Sequence, residues 1–347
     1  MERILVTGAS GFVAKHLIGQ LLAVGHAVRG TVRGQGKVPG IQAAVAALAP
    51  GREDRLELVE ADLLADAGWA EAMRDVAAVM HVATVIVATE PKDPEVVVRP
   101  AVEGTERVLR FAHAAGVRRV VMTSSIATVG YGHGHDRGAR TYTEADFTRL
   151  EAMGKSWAYC IGKTKAERAA WAFARDNGLE LTTIHPGAIL GPATDPDTSI
   201  SLGMVTGLLD GSTPAMPRIG FAISDVRDVA EMHLAALRDP ASIGERYLCT
   251  GPYTRFDQVA DILRRAYPDY AITMKTVPDW IMRIAGVLGG PVRQIINDIG
   301  NEKHFDGSKG ERLLARPYRT PEEAVLSAAE SAIRFGLVKP KARPAGR

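Results

Sequence analysis

The stretch RILVTGASGFVAKHLIGQLLAVG (3–25) decides the fold. RILVT (3–7) is the branched apolar run of a buried strand, and 11–25 has the apolar spacing of a helix that ends on glycine. Gly8 and Gly11 lie between the two, where glycine allows a tight turn and a close approach of the backbone to a pyrophosphate. The free N–H groups at the start of the helix attract the same anion. The stretch therefore predicts a dinucleotide-binding loop; the alternative is a turn that needs glycine for its geometry alone.

The alternation of strand and helix continues as far as Pro186. Further strands are predicted at 26–33, 55–62, 77–83, 118–125 and 179–186, and helices near 41–48, 67–74, 94–115 and 156–177. This alternation predicts an α/β fold, a doubly wound parallel Rossmann sheet with helices on both faces. After Pro186 the pattern predicts a Gly/Pro-rich loop at 187–200, a strand end that feeds a helix at 223–240 and one more strand at 245–250. Short helices are predicted at 256–266, 279–287, 307–314 and 320–335.

The change of pattern at Pro186 also predicts the domain organisation. We expect a dinucleotide-binding Rossmann domain at 1–185, completed by about 221–245. A smaller, mostly helical substrate-binding lobe is expected at 186–220 and 246–338. The basic, Pro-rich end at 339–347 is expected to be a flexible tail.

The composition excludes several classes of protein. Of 347 residues, 46% are apolar and 24% are charged, which suits a globular protein and excludes a disordered chain or a coiled coil. The formal net charge of +2 predicts no nucleic-acid partner. No apolar run reaches the ~20 residues of a membrane-spanning helix, and MERILVTG (1–8) leaves no room for a signal peptide. The two cysteines cannot form a disulfide framework, which favours a cytoplasmic protein. We also expect a small-molecule substrate and a monomer or homodimer, since the helices at 94–115 and 156–177 could form a dimer face or stay solvated.

The second predicted strand indicates which dinucleotide is bound. An NAD site usually carries an acid about 20 residues after the loop, but no Asp or Glu occurs between 3 and 52. Arg33 ends the strand and Lys37 follows, and cations there favour the ribose phosphate of NADPH. The alternative is that both are solvated surface cations. Asp62, at the end of the third strand, either faces the adenine or caps the helix that follows.

A second motif lies in the helix predicted at 156–177. Tyr159 and Lys163 are four residues apart and therefore share one face of the helix. A neighbouring cation is expected to lower the pKa of the phenol, which makes the tyrosine a proton donor. The strand 118–125 brings Ser124 and Ser125 to the carboxyl edge of the sheet, where a serine hydroxyl can hold a substrate carbonyl. Alone, the Tyr–Lys pair would indicate only a surface helix, but the phosphate loop and the strand-end serine point to catalysis.

With these motifs the chain resembles the extended (atypical) short-chain dehydrogenase/reductases of the NAD-dependent epimerase/dehydratase family. It is most similar to their dihydroflavonol reductase-like branch, which includes aldehyde, ketone and cinnamoyl-CoA reductases. The strings that carry the resemblance are VTGASGFVAKHL (6–17), VRGTVR (28–33), VMTSSIATVGYG (121–132), KTKAERAAW (163–171) and SDVRDVAEMHLAAL (224–237). The resemblance implies a catalytic triad of Ser125, Tyr159 and Lys163. It also implies contacts to NADPH/NADP+ from a larger set: Gly8, Ser10, Gly11, Phe12, Val13, Arg33, Lys37, Asp62, Leu63, Val82, Ala83, Thr84, Tyr159, Lys163, Pro186 and Ile189.

These features predict an NADPH-dependent carbonyl reductase that converts an aldehyde or ketone to an alcohol. Gly130 stands where plant dihydroflavonol reductases carry an amide residue, so we expect a broader, apolar pocket instead of a flavonoid site. The alternatives are a sugar-nucleotide epimerase or dehydratase, a hydroxysteroid dehydrogenase, or a non-catalytic NADP-binding redox sensor. No metal site is predicted, because His133 and His135 lie in a short Gly loop that fixes neither imidazole.

Overall fold

The structure is a computed structural model that describes residues 2–84, 90–134, 139–153, 157–196, 201–288, 295–296 and 298–339. Its strands, in chain order, are β1 (Arg3–Val6), β2 (Ala27–Val32), β3 (Leu56–Glu60), β4 (Ala78–His81), β5 (Arg119–Thr123), β6 (Ala139–Tyr142), β7 (Glu180–Pro186), β8 (Ala188–Leu190), β9 (Gly220–Asp225), β10 (Arg246–Cys249), β11 (Tyr253–Arg255) and β12 (Glu302–Phe305). Its helices are α1 (Phe12–Ala23), α2 (Val38–Leu48), α3 (Trp69–Ala72), α4 (Glu95–Ala114), α5 (Ala158–Asn177), α6 (Leu202–Leu209), α7 (Val226–Arg238), α8 (Phe256–Ala266), α9 (Asp279–Leu288), α10 (Ser308–Leu314) and α11 (Pro321–Arg334).

A seven-stranded sheet forms the centre of the molecule, in the order β10-β7-β5-β4-β1-β2-β3, and all its neighbouring strands are parallel. Ile4 and Val6 of β1 point into a core with α1 and α7, whereas Leu5 points into a core with α4 and α5. Both faces of the sheet are therefore buried, which explains why the central strands β1 and β5 carry continuous apolar runs, at 4–6 and 120–122, instead of alternating ones. The predicted doubly wound α/β fold is confirmed.

The order of the strands places the ligand crevice. The chain proceeds from β1 to β2 and β3 on one side, then crosses to β4 and β5 on the other side of β1. In open α/β sheets, ligands bind beyond the carboxyl ends of the strands at such a reversal. The loops after β1, β4 and β5, which carry several of the predicted site residues, therefore meet at one edge of the sheet.

A second core lies in the carboxyl-terminal third of the chain. Val205, Val259 and Val325, from α6, α8 and α11, pack together beside a three-stranded sheet in the order β11-β9-β8. The prediction of a loop throughout 187–200 is wrong, because Ala188–Leu190 forms β8 and pairs in parallel with β9. A three-residue strand has too few residues to show a period, and it exists only because a distant strand supplies its hydrogen bonds.

The limits of the two domains remain a prediction. Strand β10 is the edge of the central sheet, and it lies beyond the limit near 245 that we predict for the sheet domain. The tail predicted at 339–347 lies, from residue 340 onward, outside the described residues. Within the described part of the chain, no helix has both the length and the apolar character needed to cross a membrane.

Candidate active site

The loop between β1 and α1 packs tightly against itself and against Ala83 in the loop after β4. Gly8 has a φ of +69°, and a Cβ on it would lie 3.0 Å from the Cβ of Ala83. A Cβ on Gly11 would lie 3.2 Å from the carbonyl oxygen of Gly8. No side chain caps α1 and no acidic residue occupies its first turn. The loop thus leaves a cradle of backbone at a helix N-terminus, which fits the pyrophosphate of a dinucleotide.

Thr7 connects this loop to the loop after β4. Its hydroxyl oxygen accepts hydrogen bonds from the backbone N–H groups of Val82 and Ala83, both at 3.0 Å. Its own proton therefore goes to His81 Nδ1, which lies 3.0 Å away. Burial lowers the pKa of His81 to about 3, so the ring stays neutral and can accept this bond. As a result, the predicted cofactor residues Gly8 and Ala83 lie side by side.

The end of β2 carries the predicted phosphate-binding cations. Arg33 and Lys37 are both exposed, and Lys37 belongs to a short helical turn after β2. Asp62 uses its side chain locally, since its Oδ1 accepts a hydrogen bond from the N–H of Leu64 at 2.9 Å. Its carbonyl oxygen accepts a further bond from Trp69 Nε1 at 2.8 Å. Asp62 thus stabilises the turn between β3 and α3, but it does not cap α3, whose N-cap is Gly68 without a side-chain hydrogen bond.

The remaining predicted cofactor residues lie near the same edge of the sheet. Phe12, Val82 and Ile189 are partly buried against the main core, and Pro186 ends β7. Val13 is buried on α1. Leu63 packs against Gly104 of α4, where an added Cβ would lie 2.9 Å from the Cβ of Leu63. Ser10 precedes Gly11 in the loop, and Thr84 is the last described residue after β4.

Ser125, Tyr159 and Lys163 come together at the end of β5. The Ser125 oxygen accepts a hydrogen bond from the N–H of Ala127 at 3.1 Å, which leaves its hydroxyl proton available for donation. The Tyr159 hydroxyl is hydrogen bonded to Ser125. Lys163 Nζ donates to the carbonyl oxygen of Thr123 at 2.8 Å. Because α5 begins at Ala158, Tyr159 and Lys163 stand on its first turns and face the end of β5.

The prediction that Lys163 lowers the pKa of Tyr159 is wrong for this structure. Burial raises the pKa of Tyr159 to about 12, and the contact that opposes this rise is the hydrogen bond from Ser125. Burial also lowers the pKa of Lys163 to about 8, against the effect of the nearby Glu167 carboxylate. The phenol therefore stays protonated at neutral pH, which is the state that a proton donor needs.

Beneath these residues lies a buried carboxylate that the sequence analysis did not identify. Glu167 is fully buried, and it accepts hydrogen bonds from Ser124 Oγ at 2.6 Å and from Arg246 Nε at 2.8 Å. His185 Nε2 lies 3.5 Å from the same carboxylate, and His185 Nδ1 lies 3.2 Å from the carbonyl oxygen of Ser125. The signal in the sequence was the four-residue spacing from Lys163 to Glu167, which places both on one face of α5.

The structure shows what surrounds Gly130 and the neighbouring residues of the predicted substrate site. A Cβ on Gly130 would lie 2.7 Å from Phe305 Cζ, so a larger residue there would require Phe305 to move. Trp157 lines a cavity beside Gly130, whereas Met204 and Phe221 pack against the second core. His135 lies outside the described residues. In the part of the chain that is described, no group of His, Cys, Asp and Glu could hold a metal ion.

Comparisons with known proteins agree with this geometry. The profile of the NAD dependent epimerase/dehydratase family matches residues 4–250. Tetraketide alpha-pyrone reductase 1 of Arabidopsis thaliana is 34% identical over 278 residues, which cover 78% of this chain and 82% of that protein. Cinnamoyl-CoA reductase 1 of Petunia hybrida is 35% identical, covering 78% of this chain and 79% of that protein.

Among solved structures, the methylglyoxal/isovaleraldehyde reductase Gre2 of yeast, complexed with NADPH, is similar with a TM-score of 0.78. It is 25% identical, and the match covers 96% of this chain and 99% of that chain. These comparisons confirm the predicted family and the predicted oxidoreductase class. The family also confirms a nicotinamide dinucleotide as the cofactor.

Proposed function

The chain belongs to the NAD dependent epimerase/dehydratase family, and we propose that it is an NADPH-dependent reductase of aldehydes or ketones. The observation that carries this proposal is the meeting of Ser125, Tyr159 and Lys163 at the end of β5, beside the phosphate loop. When bound, the dinucleotide supplies the hydride. The names of the yeast and plant relatives, all reductases, support the same reaction class.

Each member of the triad has a role that follows from its contacts. Ser125, whose hydroxyl proton goes to the Tyr159 oxygen in this structure, donates that proton to the carbonyl oxygen of the substrate when the substrate is bound; the serine oxygen itself accepts from the N–H of Ala127. Tyr159 then gives its proton to the same oxygen as negative charge develops there, and its high pKa keeps that proton in place until then. Lys163 uses one of its three N–H donors on Thr123, and the others remain for the nicotinamide ribose and the phenol.

The preference for NADPH is part of the proposal. Arg33 is exposed at the end of β2, close in sequence to the turn that carries Lys37. A guanidinium binds a phosphate in bidentate fashion, whereas it gives a plain ribose hydroxyl no comparable partner. We further propose a cytoplasmic enzyme with a small-molecule substrate, acting as a monomer or homodimer.

The experiment that tests this function follows NADPH absorbance with a panel of aldehydes and ketones. Tyr159→Phe removes only the proton donor, so kcat should fall at least ~10²-fold, the usual contribution of a general acid. NADPH affinity, measured by fluorescence titration, should remain nearly unchanged. Tyr270→Phe, which alters a tyrosine of the second core, is the matched control. Substantial turnover by Tyr159→Phe would contradict the assignment.

A further inference from the structure

Two side chains of α5 hold two consecutive residues at the end of β5. Glu167 is fully buried, and its Oε2 accepts a hydrogen bond from Ser124 Oγ at 2.6 Å. One helical turn earlier, Lys163 Nζ donates to the carbonyl oxygen of Thr123 at 2.8 Å. The residue that follows this doubly held pair is Ser125 of the triad. Glu167 therefore contacts the segment that carries the triad serine.

The same segment is also held by its own sheet and turn. The Ser124 N–H donates to the carbonyl oxygen of Ile184 on β7 at 2.7 Å. The carbonyl oxygen of Ser125 accepts a hydrogen bond from Thr128 Oγ1 at 2.9 Å. The Ser124 hydroxyl differs from these groups, because it connects the segment to α5, the helix that carries Tyr159. Its bond therefore helps to determine how Ser125 and Tyr159 meet.

Glu167 is ionised in spite of its burial. Its Oε1 accepts hydrogen bonds from Arg246 Nε at 2.8 Å and from Trp171 Nε1 at 3.2 Å. Burial alone would raise the pKa of this carboxyl, but the His185 ring and the Arg246 guanidinium lower it to about 2. Arg246 thus binds one oxygen of the carboxylate. The other oxygen faces the end of β5, where the Lys163 ammonium is held.

The Lys163 ammonium needs a counter-ion, because it is only 4% exposed and a buried charge without a partner is costly. Tyr159 lies one turn before it on α5, and a pKa of about 12 keeps that phenol neutral. Burial, together with the charge of Lys163, lowers the pKa values of His81 on β4 and His185 on β7 to about 3 and 4, so both rings are neutral at pH 7. Among the described groups that face Lys163, Glu167 is therefore the one with a negative charge.

We propose that Glu167 is a positioning residue of the active site, which holds Ser124 against α5 and serves as the counter-ion of the Lys163 ammonium. Because it is fully buried, it acts through its neighbours and not on a ligand. The positioning role rests on the proposed function, since it concerns the reaction of Ser125 and Tyr159. The counter-ion role concerns the protonation of Lys163 alone.

The counter-ion role is tested by NMR of the full chain labelled with ¹³C at the lysine Cε, both free and saturated with NADPH. The Lys163 signal is assigned by its loss in Lys163→Met, and in the free wild type it should lose its proton near pH 8. Glu167→Gln keeps the size and removes the charge, so the proton should be lost at a pH lower by at least ~1 unit, the usual effect of a nearby opposite charge. Asp176→Asn, at the exposed end of α5, is the matched control and should leave the titration unchanged.

The positioning role is tested by steady-state kinetics with NADPH and an aldehyde that the wild type reduces. Ser124→Ala removes the hydrogen bond and retains the carboxylate. Its kcat should fall about tenfold or more, because a small misplacement of reacting groups can cost ~10²-fold. NADPH affinity and the titration of Lys163 should stay at their wild-type values. Ser242→Ala changes a buried serine beside Arg119, at the start of β5, and should retain the wild-type kcat.

Either of two results would overturn the proposal: an unchanged titration of Lys163 in Glu167→Gln, or a wild-type kcat in Ser124→Ala. If Glu167→Gln does not fold, the wild-type titration decides the first point, because a Lys163 that loses its proton below pH 7 has no effective counter-ion. A wild type that reduces no carbonyl compound contradicts the proposed function instead. The titration requires no turnover, so it still decides the counter-ion role in that case.

Discussion

Removing the Glu167 carboxylate should destabilise the protein strongly. The side chain is fully buried and accepts hydrogen bonds from Ser124, Arg246 and Trp171. In Glu167→Ala the Arg246 guanidinium, whose side chain is 9% exposed, loses its carboxylate partner. Breaking a buried ion pair by removing one partner costs about 3–5 kcal/mol. At ~2.1 cal/mol/K of unfolding entropy per residue, a chain of 347 residues should then lose roughly 4–7 °C in Tm.

The assay is thermal and urea unfolding of four variants beside the wild type. Glu106→Ala, on the exposed face of α4, is the control and should change stability by less than ~0.5 kcal/mol. The double variant Glu167→Met/Arg246→Met should be more stable than Glu167→Met alone, because it leaves no unpaired charge in the interior. If Glu167→Ala matches Glu106→Ala, or if the double variant is the less stable one, the reasoning from the buried charge is refuted.

Three further predictions concern the cofactor and pH. Arg33→Ala should weaken NADPH binding far more than NADH binding in fluorescence titrations, and equal weakening of both would remove the phosphate argument. The pKa of Lys163, at about 8, predicts that reduction slows as pH rises through about 8 and the cation is lost; Lys163→Arg should move this loss to higher pH in a kcat profile. His81, His185 and His233 are buried with pKa values lowered to about 3, 4 and 4. The unfolded chain binds protons on these groups below about pH 6.5, whereas the folded chain does not. The free energy of unfolding should therefore fall as the pH is lowered from 6.5 to 4, by about 4 kcal/mol per pH unit. Urea unfolding across this range measures the slope, and a flat profile would contradict neutral burial of the three rings.

The local parts of the site could be predicted because short segments carry their signals. A strand, Gly8, Gly11 and the start of α1 form the phosphate loop within a single run of chain, and glycine is required at Gly8 by its φ of +69°. The four-residue spacing of Tyr159 and Lys163 places them together on any helix. The order of motifs along the chain likewise predicted a parallel sheet, since alternating strands and helices have few other ways to bury both faces.

The electrostatics of the site could not be predicted in the same way. The pKa of Tyr159 depends on burial, and burial comes from side chains that β5 and α5 bring together, so the spacing alone predicted the wrong direction. The partner of Glu167, Arg246, lies on a strand far along the chain, and no local pattern links the two.

The amino-acid sequence by itself determined the class of sheet, the position of the glycine loop after β1 and the placement of Tyr159 and Lys163 on one face of α5, because each depends on neighbours within a few residues. Only the tertiary structure decided which charges are desolvated and which strands complete the edges of the central sheet. Desolvation and hydrogen-bond satisfaction depend on everything that surrounds an atom, and distant segments supply most of those surroundings.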